Sequence, residues 1–185
     1  RNYRFINKSV DLLIMQDILY FSYGSNMSLC RLENRVSSAE VISFGFLERH
    51  KLKFHKKSID GSGKCNAYFT DEPNDKIYGV IYSINETDLN KLDRCEGRGS
   101  GYEKKDVIIK RINGDGIKAF TYCATDIEKG LKPYTWYKYH VLHGAVENLL
   151  PPDYISFIDS VHSKADPDKE RVDNKLSIYS WKELE

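Results

Sequence analysis

Between Lys76 and Asn85 the chain runs Ile77-Tyr78-Gly79-Val80-Ile81-Tyr82-Ser83-Ile84, an apolar and aromatic stretch with almost no polar break. A short run of this kind, without alternation, reads as a central strand buried on both faces. A chain that contains it has to build a sheet around it. Asn85-Glu86-Thr87-Asp88 follows and reads as a helix start.

The flanking segments supply the rest of the sheet. Ile18-Leu19-Tyr20-Phe21 is a short apolar strand, and Val41 to Leu47 and Lys51 to His55 read as two more, the second alternating charged and apolar residues. Ser58 to Gly63 is a turn-rich loop before a short strand at Asn66-Ala67-Tyr68-Phe69. Tyr102 to Ile112 and Ile117 to Ala124 form a hairpin around Asn113-Gly114-Asp115-Gly116. Helices are expected over Met27 to Val36, with Leu29, Leu32 and Val36 on one face, from Asp88 to Glu96, and over Trp136 to Leu150. Pro151-Pro152 ends the last of these ahead of a further helix with Tyr154, Phe157, Ile158 and Val161 inward. The fold class expected is α+β, a small mixed, mostly antiparallel β-barrel of five to seven strands with flanking short helices.

With 185 residues, the chain is read as one domain, with residues 1–15 as an N-terminal extension ahead of the first strand and residues 169–185 as a peripheral C-terminal tail. Lys plus Arg number 28 against 27 for Asp plus Glu, so no global basic field points to nucleic acid, and a small-molecule partner is expected. The four cysteines are widely separated, without a Cys-x-x-Cys pair, which suits reduced thiols in the cytoplasm. The apolar run at Leu12-Leu13-Ile14-Met15 is too short to span a bilayer, and no membrane partner is expected.

Two places carry chemistry. In Tyr20-Phe21-Ser22-Tyr23-Gly24-Ser25-Asn26 a strand enters a glycine-containing turn and then a helix. If Gly24 takes positive φ, the N–H groups of Gly24, Ser25 and Asn26 can turn inward as an anion-binding nest at a helix N-terminus. The simpler reading is that Ser25 or Asn26 caps the helix. The second place is Glu96, at the end of a helix just before the stop signal Gly97 and the flexible Gly97-Arg98-Gly99-Ser100-Gly101 loop. A carboxylate at the negative end of a helix dipole is unfavourable, and the raised proton affinity would suit a general base; from position alone, an exposed surface glutamate on a frayed helix end is the simpler reading.

Taken together, Tyr20 to Asn26, Tyr78-Gly79-Val80-Ile81-Tyr82 and Leu92-Asp93-Arg94-Cys95-Glu96-Gly97 resemble the gamma-glutamylcyclotransferase family. Tyr137-Lys138-Tyr139 and Gly144 to Pro151 resemble its later helical stretch, so the likeness runs in order from about residue 17 to about residue 168. The resemblance implies a cofactor-free, metal-free reaction on a small-molecule gamma-glutamyl substrate. The free α-amine attacks its own γ-carbonyl, giving 5-oxoproline and a free amine or amino acid. Glu96 would be the general acid and base; an ordinary glutamate has a pKa of about 4.3 and would need a drier, more apolar setting for that work. The substrate-binding residues implied are Tyr20, Phe21, Ser22, Tyr23, Gly24, Ser25, Asn26, Tyr102 and Tyr137; the loop between Glu96 and Tyr102 differs slightly in length from the family pattern. Similar proteins can be homodimers.

Other readings compete. Cys95 could be a thiolate nucleophile, but no histidine pattern predicts its partner. His140, His143 and Glu147 could lie along one helix face and bind zinc, but spacings of three and four occur by chance on most helices, which favours a surface or packing role. Gly61-Ser62-Gly63-Lys64 superficially resembles a phosphate loop, yet Ser58 stands where glycine is needed and Cys65 where Ser or Thr is needed. A non-catalytic metabolite-binding module and an enzyme of the same superfamily with a different substrate are the alternatives in function.

Overall fold

A computed structural model describes residues 17–179. The expected extension at 1–15 and the last part of the tail, 180–185, lie outside the described residues.

The apolar run at 77–84 is the middle of the longest strand and the centre of the fold. In chain order the strands are β1 (Asp17–Ser22), β2 (Glu40–Glu48), β3 (His50–Lys57), β4 (Gly63–Phe69), β5 (Lys76–Asn85), β6 (Tyr102–Lys110) and β7 (Gly116–Ala124). Five of them close into a barrel in the order β1-β5-β2-β6-β7. β5 is antiparallel to both β1 and β2, and Ile77, Val80, Ile81, Tyr82 and Ile84 are fully buried. This is the two-sided burial that a strand without polar alternation requires. The barrel closes where β1 meets β7 in parallel at Tyr20 and Phe120, the one parallel contact in an otherwise antiparallel barrel. Closure removes the exposed strand edges that an open sheet would leave.

β3 and β4 form a separate two-stranded ribbon. Its register slips between Lys53 and Lys56, so that Phe54 and His55 together stand opposite Cys65. A bulge of this kind leaves backbone groups outside the ladder.

The helices are α1 (Leu29–Glu33), α2 (Leu89–Glu96), α3 (Thr135–Glu147), α4 (Pro152–Ser160) and α5 (Lys169–Leu176). The helix expected over Met27 to Val36 is shorter than its apolar spacing suggested: a single 3-10 turn, Ser25–Met27, precedes a five-residue α1. In α4, Tyr154 and Ile158 point inward as expected, but Phe157 is 44 % exposed. The nine-residue helix has room for only a narrow apolar stripe. α2 stops at Gly97, which takes the left-handed conformation (φ 63°) that closes the last turn, with Arg98 N–H donating to the Asp93 carbonyl. Among the described residues no helix is long and apolar enough to cross a membrane.

Candidate active site

Strand pleating sets the first part of the site. Along β1 successive side chains alternate faces, so Tyr20 and Ser22 point toward a recess at the barrel end while Phe21 points away into the core, fully buried. Phe21 therefore does not line the site, contrary to the expectation that the whole segment 20–26 would. The other expected residues, Tyr20, Ser22, Tyr23, Gly24, Ser25, Asn26, Glu96, Tyr102 and Tyr137, all line this small recess.

The turn at 24–26 differs from the expected nest. Gly24 has φ −122°, so it is not left-handed, and α1 is too short to bring a helix dipole to bear. What Gly24 supplies is clearance: a Cβ there would stand 3.0 Å from the Cys65 Cβ and 3.6 Å from the Tyr137 hydroxyl. The capping alternative does not hold either. The cap positions are Gly24 and Ser28, and neither makes a side-chain cap bond. The Asn26 amide is committed elsewhere.

That commitment is to Glu96. Asn26 Nδ2 donates to Glu96 Oε1 at 2.8 Å and lies 3.2 Å from the Tyr20 hydroxyl. Arg35, just beyond α1, donates from one guanidinium nitrogen to Glu96 Oε1 at 2.7 Å and to Asn26 Oδ1 at 3.0 Å. The Glu96 side chain is 15 % exposed and that of Arg35 22 %. The setting is thus polar and ion-paired, not the apolar one the sequence suggested. The negative end of α2 is answered by a guanidinium, which is why a carboxylate is tolerated at this helix end. An ion pair requires the ionised carboxylate, the form in which a base begins a reaction.

Tyrosines form the walls, and their hydroxyls are held by backbone groups or by the Asn26 and Asp93 side chains. The bulge opposite Cys65 frees its N–H and carbonyl, and two tyrosines take them up: Cys65 N–H donates to the Tyr137 hydroxyl at 3.1 Å, and the Tyr102 hydroxyl donates to the Cys65 carbonyl at 2.6 Å. The Tyr23 hydroxyl donates to the Tyr122 carbonyl, and the Tyr122 hydroxyl donates to Asp93 at 2.5 Å. Burial pushes the phenols of Tyr20, Tyr102 and Tyr137 well above their ordinary value, with the Glu96 charge adding to it, so they stay protonated. Burial likewise pushes the Cys65 thiol up to about 12, which leaves it inert as a nucleophile.

The recess opens into a wider chamber, and Ser25, Glu96, Tyr102 and Tyr137 belong to both. They form the rim between the two. The outer walls include the loop at Ser58 to Lys64 and, from α5, Arg171 and Lys175.

The competing constellations separate from this site. Cys95 is exposed and lines only the outer chamber. His140 is buried against Trp136 and shares a hydrogen bond of 2.6 Å with Tyr179, burial holding its imidazole well below the usual range and hence neutral. His143 pairs with Glu147 at 3.1 Å, and among the described residues no cluster could hold a metal ion. Lys64, from the glycine-containing stretch, binds Asp60 at 2.8 Å instead of building a phosphate loop.

Arg35, Cys65 and Tyr122 are the site residues that sequence reasoning missed. Arg35 lies nine residues past Asn26 with no pattern joining the two. Cys65 is noticed in the sequence only as a departure from a phosphate-loop motif, and Tyr122 only as one position in a hairpin strand.

Residues 76–158 match the AIG2-like family. The chain is 33 % identical over 151 residues to a gamma-glutamylcyclotransferase of Bos taurus, covering 79 % of each chain. It is 34 % identical over 144 residues to the gamma-glutamylcyclotransferase of Homo sapiens, covering 75 % of this chain and 76 % of the relative. Among solved structures, a gamma-glutamyl cyclotransferase superposes with a TM-score of 0.78 at 29 % identity, over 86 % of this chain and 97 % of the other.

Proposed function

The chain belongs to the gamma-glutamylcyclotransferase family, and from that premise we propose that it converts a gamma-glutamyl amino acid or amine into 5-oxoproline and the free amino acid or amine, with Glu96 moving the protons. The observation that carries this reading is the Glu96 carboxylate, held by Asn26 and Arg35 on the rim between a tyrosine-walled recess and a wider outer chamber.

In this reading the glutamyl head occupies the recess, its γ-carbonyl lies at the rim and the leaving group extends into the chamber. The α-ammonium gives a proton to Glu96, and the amine nitrogen attacks the γ-carbon. A carbon–nitrogen bond forms to close the five-membered ring. The original amide bond then breaks. In all, two protons leave the α-nitrogen and two reach the departing nitrogen, so one carboxylate that alternately accepts and donates is sufficient, with no oxidant or cofactor in the balance. Nucleophile and electrophile are parts of one molecule, and the recess has only to hold the chain curled for the attack to become probable. The N–H groups of Ser25 and Asn26, which head the 3-10 turn and have no acceptor within it, are suited to the substrate's carboxylate or to the oxyanion at the γ-carbon. Tyr102 and Tyr137, kept protonated, exclude water from the reacting groups.

The test is 5-oxoproline release from a panel of gamma-glutamyl dipeptides, gamma-glutamyl amines and glutathione by the unaltered protein and by Glu96→Gln. The amide retains the size of the side chain but accepts no proton. Release that falls by about 10²- to 10⁴-fold in the variant supports the assignment, and equal release by both proteins sinks it.

A further inference from the structure

The outer chamber is strongly cationic, and the surplus has no counter-charge among the described residues. Three of its basic side chains are neutralised: Arg35 by Glu96, Lys64 by Asp60 and Arg171 by Asp166 and Asp168. Four others, Arg31, Lys56, Arg94 and Lys175, line the same chamber and make no ion pair with any described residue. Arg31 comes from α1, Lys56 from β3, Arg94 from α2 and Lys175 from α5, so the tertiary fold gathers them from four separate elements.

Concentrating like charges costs free energy unless a ligand of opposite sign returns it. The cost is visible in the groups themselves. Arg31 is brought down to about 10 by burial and then by Arg35, and its Nε is buried without a hydrogen-bond partner. Lys175 is lowered by burial and then by Arg31 and Arg35. The aromatic faces beneath Lys56 (Tyr102, 5.1 Å) and the exposed Lys175 (Trp136, 6.0 Å) attract these cations but carry no charge to neutralise them.

An α-amino acid leaving group brings a single carboxylate to this chamber, which leaves most of the surplus unanswered. Building on the cyclotransferase reading above, we infer that the preferred substrate carries a second negative charge on its leaving amino acid, a gamma-glutamyl unit joined to an acidic residue. The glutamyl head fills the recess, the scissile amide sits beside Glu96, and both carboxylates of the leaving residue fall among Arg31, Lys56, Arg94 and Lys175. A cationic leaving group such as lysine is disfavoured by the same field.

γ-Glutamylglutamate and γ-glutamylglutamine have nearly the same size and differ by one charge, so their kcat/KM ratio isolates the effect. At low ionic strength the ratio is expected to be about tenfold or more in favour of glutamate, and γ-glutamyllysine to be the poorest of the three. Raising the salt to about 0.5 M, where the screening length is only a few ångströms, should lower the ratio. Lys175→Gln, on an exposed helix position, should lower it at least twofold at low salt, and Arg94→Gln should act in the same direction. A ratio of one or less, or a ratio that neither salt nor Lys175→Gln changes, overturns the inference while leaving cyclotransfer standing. Release from neither dipeptide overturns this inference, and release from no member of the panel named above overturns the cyclotransferase reading with it.

Discussion

Arg35, just beyond α1, donates to Glu96 Oε1 at 2.7 Å, and the same nitrogen holds Asn26 Oδ1 at 3.0 Å. One guanidinium thereby fixes both the proposed base and the loop that faces it. Arg35→Met removes the charge and both bonds while keeping an unbranched stem. It is expected to lower kcat/KM for 5-oxoproline release by about 10- to 100-fold, because small misplacements of a reacting group are costly. Activity within twofold of the unaltered protein would mean that Asn26 alone positions Glu96.

Tyr137 accepts the Cys65 N–H that the β3–β4 bulge leaves outside the ladder. Tyr137→Phe strands that buried donor, at a cost of about 1–3 kcal/mol. The expected result is a lower urea midpoint with an unchanged m-value, read by equilibrium denaturation; an unchanged midpoint would mean that Cys65 N–H finds water or another acceptor.

Gly144 lets α3 lie directly on the binding loop. A Cβ at this position would stand 2.3 Å from the Ser28 nitrogen and 2.4 Å from the Met27 carbonyl carbon, both backbone atoms. Alanine in an unobstructed helix would stabilise by about 1 kcal/mol relative to glycine. Here the clash decides the sign, and Gly144→Ala is expected to destabilise by about 1–3 kcal/mol and to lower activity by shifting the loop. A rise in melting temperature would contradict this packing.

Asp60 is desolvated, which by itself would raise its pKa, but bonds from Lys64 and Ser62 outweigh this and hold the carboxyl down at about 2. A carboxyl depressed in the folded state contributes stability that is fully present above its unfolded value, about 3.9, and is lost as pH falls toward 2. Asp60→Asn should therefore be less stable than the unaltered protein at pH 6, by on the order of 1 kcal/mol once solvent screening is allowed for. The gap should close as the pH is lowered through that window. Urea midpoints for the two proteins at several pH values test this, and a gap that widens on acidification would reverse the assignment.

Much of the architecture is legible in the sequence because it is written in short-range periodicity. The unbroken apolar run at 77–84 identifies β5, the Asn113–Gly116 turn identifies the β6–β7 hairpin, and Gly97 marks the end of α2. The sequence is less informative where a local pattern is outweighed by packing. Gly24 looked like a left-handed turn residue, but Cys65 and Tyr137 crowd it instead. Phe21 looked like part of the loop, but the strand pleat carries it into the core.

The local order of residues is enough to mark most strands and helices and to put a glutamate at the end of a helix before Gly97, since each depends on neighbours a few positions away. Only the tertiary structure decided what those residues meet. Closure of β1 on β7 gathers Asn26, Arg35 and Glu96 from positions up to 70 residues apart, and α5 brings Lys175 to the same chamber. The ion pair, the tyrosine hydroxyls on the Cys65 bulge and the unpaired cations are distances in space, and no spacing along the chain encodes them.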